Sequence, residues 1–194
     1  DICIMYKNVF YSEYPNGKLA ADYGFTSATY TFDKYKAEIL AALKKRFSDI
    51  EVGNKSLKID SNSYRVQADA VPAFQYRNYS NDYFTDANNY IEGICIISKD
   101  GKKIINYPKQ HKENGTNKNN RTSGYYKKMV RIIKKIKYDM KGTYDSVENI
   151  SSFVLECMVY NVSDYCFSTL FKSESSKYQE MLKDVILYIE NNIN

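Results

Sequence analysis

The chain has no tryptophan, one histidine and only four cysteines in 194 residues. Those cysteines, Cys3, Cys95, Cys157 and Cys166, each sit in an apolar run, and no two form a C-x-x-C pair. With no second histidine near His111, this usage argues against a zinc site and against a disulfide framework, and predicts buried reduced thiols. Long apolar runs are missing too. None approaches membrane-spanning length and none reads as a signal peptide, so a cytoplasmic protein away from the membrane is the expectation. The missing Trp goes with 20 Tyr and many Lys, Asn and Ile, a bias of AT-rich coding that carries little functional weight. Neither sign of charge dominates: 28 Lys and Arg against 23 Asp and Glu leave +5. That balance suits polyphosphate or nucleic-acid ligands without establishing either.

What the chain does have is organised around Ser63–Phe74. Tyr64, Val66, Ala68 and Ala70 alternate with Arg65, Gln67 and Asp69, which predicts a strand that stops at Pro72. Aspartate is disfavoured in strands and rarely buried unless paired or holding a metal. An ion pair from Asp69 to Arg65 or Arg77 is the structural alternative. Asp1 heads a second strand, Asp1–Tyr6, otherwise apolar. Two apolar ribbons with one carboxylate each suit a sheet that presents acids to divalent cations.

Along the chain, the first strand runs to about Tyr11, and Pro15-Asn16-Gly17 is turn chemistry. Thr31 precedes a helix over Phe32–Phe47. Short strands at Ile50–Val52 and Ser56–Ile59 lead through Asp60-Ser61-Asn62 into the Asp69 strand as a hairpin. Residues 77–90 read as loop, Tyr90–Ile97 as a strand, and Lys99-Asp100-Gly101-Lys102 as a hairpin turn before Ile104-Ile105. From Pro108 onward the pattern is helical or loop. Strands first and helices after predict an α+β fold, with a core sheet carrying one long helix over 1–107 and a helical half over 108–194. Both ends read as cut: the chain starts without Met inside a strand and finishes on Asn-Asn-Ile-Asn within an amphipathic helix.

The second half carries a basic helix from Ser123 to about Lys141. Met129, Ile132, Ile136 and Met140 share its apolar face, while Lys127, Arg131, Lys134 and Tyr138 lie opposite with no acid between Lys127 and Lys137. A solvated back is the ordinary explanation. A cationic stripe facing a triphosphate is the functional one. The preceding stretch Asn106–Thr122 is polar and Asn-rich and reads as a mobile surface loop, with His111 at the surface. Ser151–Asn161 is apolar nearly all round and predicts the buried helix of this half, capped by Ser151 or Ser152. Glu156 within it needs a partner, and structural pairing with Arg131 or Lys134 is the expectation. Tyr178, Met181, Leu182, Val185 and Ile189 give the last helix a packing face.

These residues carry a resemblance. Asp1-Ile-Cys-Ile-Met-Tyr6 with Asn8-Val-Phe-Tyr11, Gly53-Asn-Lys-Ser56, Tyr64-Arg-Val-x-Ala-Asp69-x-Val-Pro72, Ile105-Asn-Tyr-Pro108 and Asn114-Gly115 resemble the bacterial cyclic-oligonucleotide synthases. Lys118-Asn119, Thr122, Lys127-x-x-x-Arg131-x-x-Lys134 and Ser152-Phe-x-x-Glu-Cys157 continue the likeness in the same order. That family is part of the DNA-polymerase-β-like nucleotidyltransferase superfamily, related to cyclic GMP-AMP synthase and oligoadenylate synthase. The resemblance implies nucleotidyl transfer from nucleoside triphosphates with Mg²⁺ or Mn²⁺, in bacterial anti-phage signalling. It makes Asp1 and Asp69 catalytic metal ligands, Lys127, Arg131 and Lys134 triphosphate contacts, and Ser152 a neighbour of the donor nucleotide. It also implies a Gly-Ser loop and a further Asp before Asp1, and hence an inactive 194-residue piece of an active whole. The alternatives are another polymerase-β-like enzyme (RNA-tailing or antibiotic-modifying), a non-catalytic relative, or a plain nucleic-acid-binding domain. The last is disfavoured, because two acids in one groove repel a phosphate backbone.

Overall fold

The computed structural model describes residues 2–82 and 84–192. Asp1, assigned above to the metal, lies outside the described residues. The chain divides into two compact units, 1–109 and 110–194. The first holds a mixed sheet: β1 (Ile2–Glu13), β2 (Ile50–Val52), β3 (Leu57–Ile59), β4 (Ala68–Asn78), β5 (Ile91–Ile97) and β6 (Lys103–Asn106), with helix α1 (Phe32–Lys44) on one face. The second holds helices α3 (Tyr125–Met140), α4 (Asp145–Glu148), α5 (Ser152–Asn161) and α6 (Lys177–Asn192), preceded by α2 (Pro108–Arg121), which starts at the end of the first unit. This is the α+β architecture the pattern predicts.

β4 is the hub of the sheet. It runs parallel to β1 on one side, and on the other it meets β3 over Ala68–Ala70 and β5 over Phe74–Asn78, both antiparallel. The strand does not stop at Pro72, as its proline led us to expect. Pro72 falls in the interval between β3 and β5, where one edge of β4 has no neighbouring strand, so its missing N–H costs little. Nor does the strand begin at Ser63. Tyr64 and Val66 are 96 % and 83 % exposed in the β3–β4 turn, where Asn62 Oδ1 accepts from the Tyr64 and Arg65 amides. Side-chain-to-backbone bonding there outcompetes the ladder.

Alternation along β1 is also reset. Its register to β4 jumps between Tyr6 and Phe10, which leaves Lys7, Asn8 and Val9 as a bulge. Ile4 and Tyr6 before it, Val9 within it and Tyr11 after it therefore all reach the α1 side, where Phe32, Tyr35 and Phe74 are buried. Thr31 caps α1 by accepting from the Lys34 amide at 3.3 Å, and the Tyr35 hydroxyl donates to the Ile4 carbonyl at 2.9 Å. Opposite α1 lies a second apolar layer of Ala73, Ile94 and Ile96, with Met5, Val71 and Ile104 against it.

The polar stretch read as a loop is helix α2. Pro108 opens it, where a missing N–H is tolerated. Its buried positions are Gly115 and Lys118, followed by Thr122 just beyond its end. A helix face built from Gly, Lys and Thr has no apolar periodicity to detect. The second unit's core gathers Tyr126, Met129, Val159, Phe167, Met181 and Val185. Helix α5 is less buried than its composition suggests: Val159 is buried, while Phe153 and Val154 are 59 % and 48 % exposed. All four cysteines are free, but only Cys95 and Cys166 are buried. Cys3 is exposed and Cys157 half-buried, against expectation.

Candidate active site

Asp69 is the second residue of β4, and alternation puts it on the same face as Val71 and Ala73, away from α1. The parallel register sets Ile2 opposite Ala70, so Asp69 lies at the edge of the sheet where β1 begins. Neither arginine proposed as its partner is available. Arg65 donates Nε–H to the Asp60 carbonyl at 2.7 Å and lies over the Phe47 ring. Arg77 donates to Gln75 at 2.8 Å and stacks 3.9 Å from the Phe10 ring centroid. Lys58, across the ladder from Asp69, is paired with Glu51 at 3.2 Å. Asp69 Oδ1 is consequently buried with no hydrogen-bond partner among the described residues. A desolvated carboxylate oxygen left unpaired is costly to the fold. It is also a hard donor of the kind Mg²⁺ accepts, so Asp69 fits the metal the resemblance implies. Among the described residues no group of three His, Cys, Asp or Glu side chains could hold an ion.

On the second unit, α3 presents Lys127 and Arg131 to solvent, and neither forms a salt bridge among the described residues. Lys134 is engaged: its Nζ lies 2.6 Å from Glu156 Oε2, and His111 Nε2 lies 3.1 Å from Glu156 Oε1. Burial pushes the Glu156 carboxyl up, but Lys134 and His111 outweigh it and hold the carboxyl below its usual value. The lone histidine is exposed, as read, and it shares Glu156 with Lys134, its ring 5.2 Å from that of Phe153. On the apolar side Met129 is buried and Ile132 half-buried. Ile136 is 37 % exposed rather than buried, because it lies in the helix's C-terminal half, past the core residues Met129 and Val130.

The N-terminus of α3 is already satisfied. Thr122 Oγ1 accepts from the Tyr126 amide and Asn119 Oδ1 from the Lys127 amide, so an anion there must be met by side chains rather than backbone. Ser151 caps α5 by accepting from the Val154 amide at 3.1 Å, which leaves the Ser152 hydroxyl exposed and without a partner among the described residues. The ring contact Tyr126–Tyr160 and the Lys137 bond to the Ile150 carbonyl show that α3 and α5 run antiparallel. Ser152 therefore lies beside the C-terminal half of α3, roughly 13 Å along the axis from Lys127 at 1.5 Å per residue. The spacing brings Lys134 to Glu156 but does not bring Lys127 to Ser152.

One polar residue, quoted in the resemblance, is given no role by sequence reasoning. Lys118 is 4 % exposed; its Nζ meets Asp164 at 2.7 Å and the Val162 carbonyl, and Arg121 joins the same carboxylate at 2.8 Å. A lysine in an Asn-rich stretch gives no signal of burial.

Residues 113–194 match the C-terminal helical domain of cGAS/DncV-like nucleotidyltransferases. A cyclic GMP-AMP synthase of Staphylococcus schleiferi is 43 % identical over 87 % of this chain and 53 % of its own length. A cyclic dipyrimidine nucleotide synthase of Cecembia lonarensis is 36 % identical over 99 % of this chain and 63 % of its own. Among solved structures, the cyclic UMP-AMP synthase of Rhodothermus marinus with Apcpp and Upnpp superposes with TM-score 0.82 at 27 % identity, over 97 % of this chain and 62 % of that one. The cyclic dinucleotide synthase of Elizabethkingia meningoseptica with GTP and Apcpp gives 0.75 at 33 % identity, over 98 % and 62 %. The chain thus spans between half and two thirds of the length of these relatives.

Proposed function

We propose, from these likenesses, that the whole protein is a cGAS/DncV-like nucleotidyltransferase that joins nucleoside triphosphates into a cyclic or short linear oligonucleotide messenger. The observation that carries the reading is Asp69, a strand carboxylate whose buried oxygen has no protein partner among the described residues. A divalent cation, Mg²⁺ or Mn²⁺, would be held by Asp69 and, by resemblance, Asp1, and would supply charge stabilisation and a lowered hydroxyl pKa. Asp69 itself fixes a negative oxygen on a rigid strand.

On the second unit, Lys127 and Arg131, exposed and without a salt bridge among the described residues, would meet triphosphate oxygens, Lys as a point charge and Arg as a fork. A triphosphate would have to share Lys134 with Glu156. Ser152, uncapped and exposed, offers a hydroxyl to the donor nucleotide. Base choice is not inherited along with the fold. Relatives 32–43 % identical are named for cyclic GMP-AMP, dipyrimidine and UMP-AMP products. By family, the messenger serves anti-phage signalling.

The test is pyrophosphate release by the complete protein with Mg²⁺ and all four nucleoside triphosphates, with products separated by anion exchange. Activity that Asp69→Asn abolishes supports the reading. Silence with every nucleotide, in a protein with its acids intact, favours a non-catalytic relative. Incorporation into RNA or a small drug would point to the tailing or modifying enzymes instead.

A further inference from the structure

Away from these residues, two hairpin turns of the sheet are clamped together. The β2–β3 turn closes with Gly53 N donating to the Ser56 carbonyl at 2.9 Å. The β5–β6 turn closes with Ser98 N donating to the Lys102 carbonyl at 3.0 Å and Gly101 at φ +80°. The Lys99 amide then reaches across to Asn54, 3.0 Å from its carbonyl and 2.8 Å from its Oδ1. This crossing frames a hollow of about 460 Å³ walled by Asn54, Lys55, Ser98, Asp100, Lys102 and Lys103. A second hollow of about 400 Å³, reached by Lys36 and Lys99, shares Ser98 with it.

The geometry points to a binding site here for an oligophosphate, a ligand of three or more linked phosphates, distinct from the nucleotidyl-transfer residues. None of Lys55, Lys99 and Lys102 forms a salt bridge among the described residues, and Lys103 rests 4.2 Å from the Tyr11 ring centroid. Lysines without a salt bridge around a concave wall are point charges suited to phosphate oxygens. Ser98 is 5 % exposed, and its hydroxyl, shared between the Lys102 carbonyl at 3.0 Å and the Asp100 carboxylate, fixes the floor between the lysines. One acid opposes them. The Ser98 hydroxyl, then the backbone, and then the nearby Lys102 ammonium hold the Asp100 carboxyl below its usual value, so it stays charged, offsets part of the Lys102 charge and repels a single anion. A ligand must carry several negative charges to gain more from Lys55, Lys102 and Lys103 than it loses to Asp100.

The larger hollow has no aromatic wall, so the phosphates rather than a base are recognised. Its volume lies within the range of small-ligand pockets, roughly 300–1,000 Å³. Asp69 does not line it, and the lysine facing Asp69 across the ladder is Lys58. The site also gives a use to Gly53-Asn-Lys-Ser56, which has no part in the transfer reaction proposed above.

The probe is inorganic tripolyphosphate, titrated calorimetrically into the full chain in EDTA, with ATP titrated in parallel. Lys55→Glu/Lys102→Glu should weaken tripolyphosphate at least about tenfold, the scale of one charge-assisted hydrogen bond. Lys55→Arg/Lys102→Arg should restore it, with thermal midpoints unchanged in both. Equal affinity for ATP and tripolyphosphate would identify the phosphate chain as the recognised part. ATP binding without tripolyphosphate binding would overturn the proposal, as would charge reversal with no effect. Loss of tripolyphosphate binding in Lys127→Ala/Arg131→Ala would assign it to the transfer site and overturn it too. A single-stranded RNA 20-mer displacing the probe at a hundredfold lower concentration would make the surface a polynucleotide site, and would equally refute it. Activity of the complete protein enters none of these readouts, so failure here leaves the proposed function standing.

Discussion

Asp69 shows how one side chain can be costly to the fold and kept for its chemistry. Its buried oxygen finds no donor, so Asp69→Asn should leave the metal-free protein as stable or up to about 1 kcal/mol more stable. The same variant should lose pyrophosphate release in the complete protein. Parallel thermal melts and turnover assays check both halves, and a large loss of stability would mean the carboxylate is structural. Glu156 behaves in the opposite sense. Its carboxyl is held below the usual 4.5 by its neighbours, so its contribution is present above that value and is lost as pH falls through the folded one. Glu156→Gln should cost about 1 kcal/mol at neutral pH. Denaturant melts at pH 7 and pH 3 should show that difference shrinking toward zero in acid.

Elements were legible where local chemistry and pattern agreed. Thr31 before α1, the Gly101 turn and the apolar run of β5 are all found where the residues place them. The misses have physical causes. Pro72 misled because a proline's cost depends on which neighbour its edge faces, and the strand order is not written locally. Helix α2 was missed because Gly115, Lys118 and Thr122 bury a face with no apolar period. The candidate site was legible in residue type, Asp69 and the α3 stripe. The engagement of Lys134 by Glu156 and His111 depends on how three helices pack. Gly93 is the tightest element-scale constraint: a Cβ there would sit 2.9 Å from the Asn106 carbonyl oxygen and 3.1 Å from the Tyr107 ring. Gly93→Ala should therefore destabilise the β5–β6 pair by about 2 kcal/mol, read as a lower denaturation midpoint with an unchanged m-value. In the second unit, Asp164→Asn should cost about 2–3 kcal/mol, because it strips the near-buried Lys118 ammonium of its counter-ion.

Across the whole molecule, the four cysteines are free, so adding a thiol reductant should not move the thermal midpoint. A fall on reduction would reveal a cross-link. No helix among the described residues is long and apolar enough to cross a membrane. The clamp between the two turns has a consequence for how the molecule breathes. The Lys99 amide sits in an exposed turn, where deuterium should replace its proton within seconds. Yet both of its acceptors belong to Asn54, 45 residues earlier in the chain. Deuterium uptake at Lys99 therefore requires the β2–β3 and β5–β6 hairpins to part, not merely a turn to flex. Its exchange rate should follow that of the β5 interior, and Asn54→Ala should speed it selectively while the amides of β4 keep their protection.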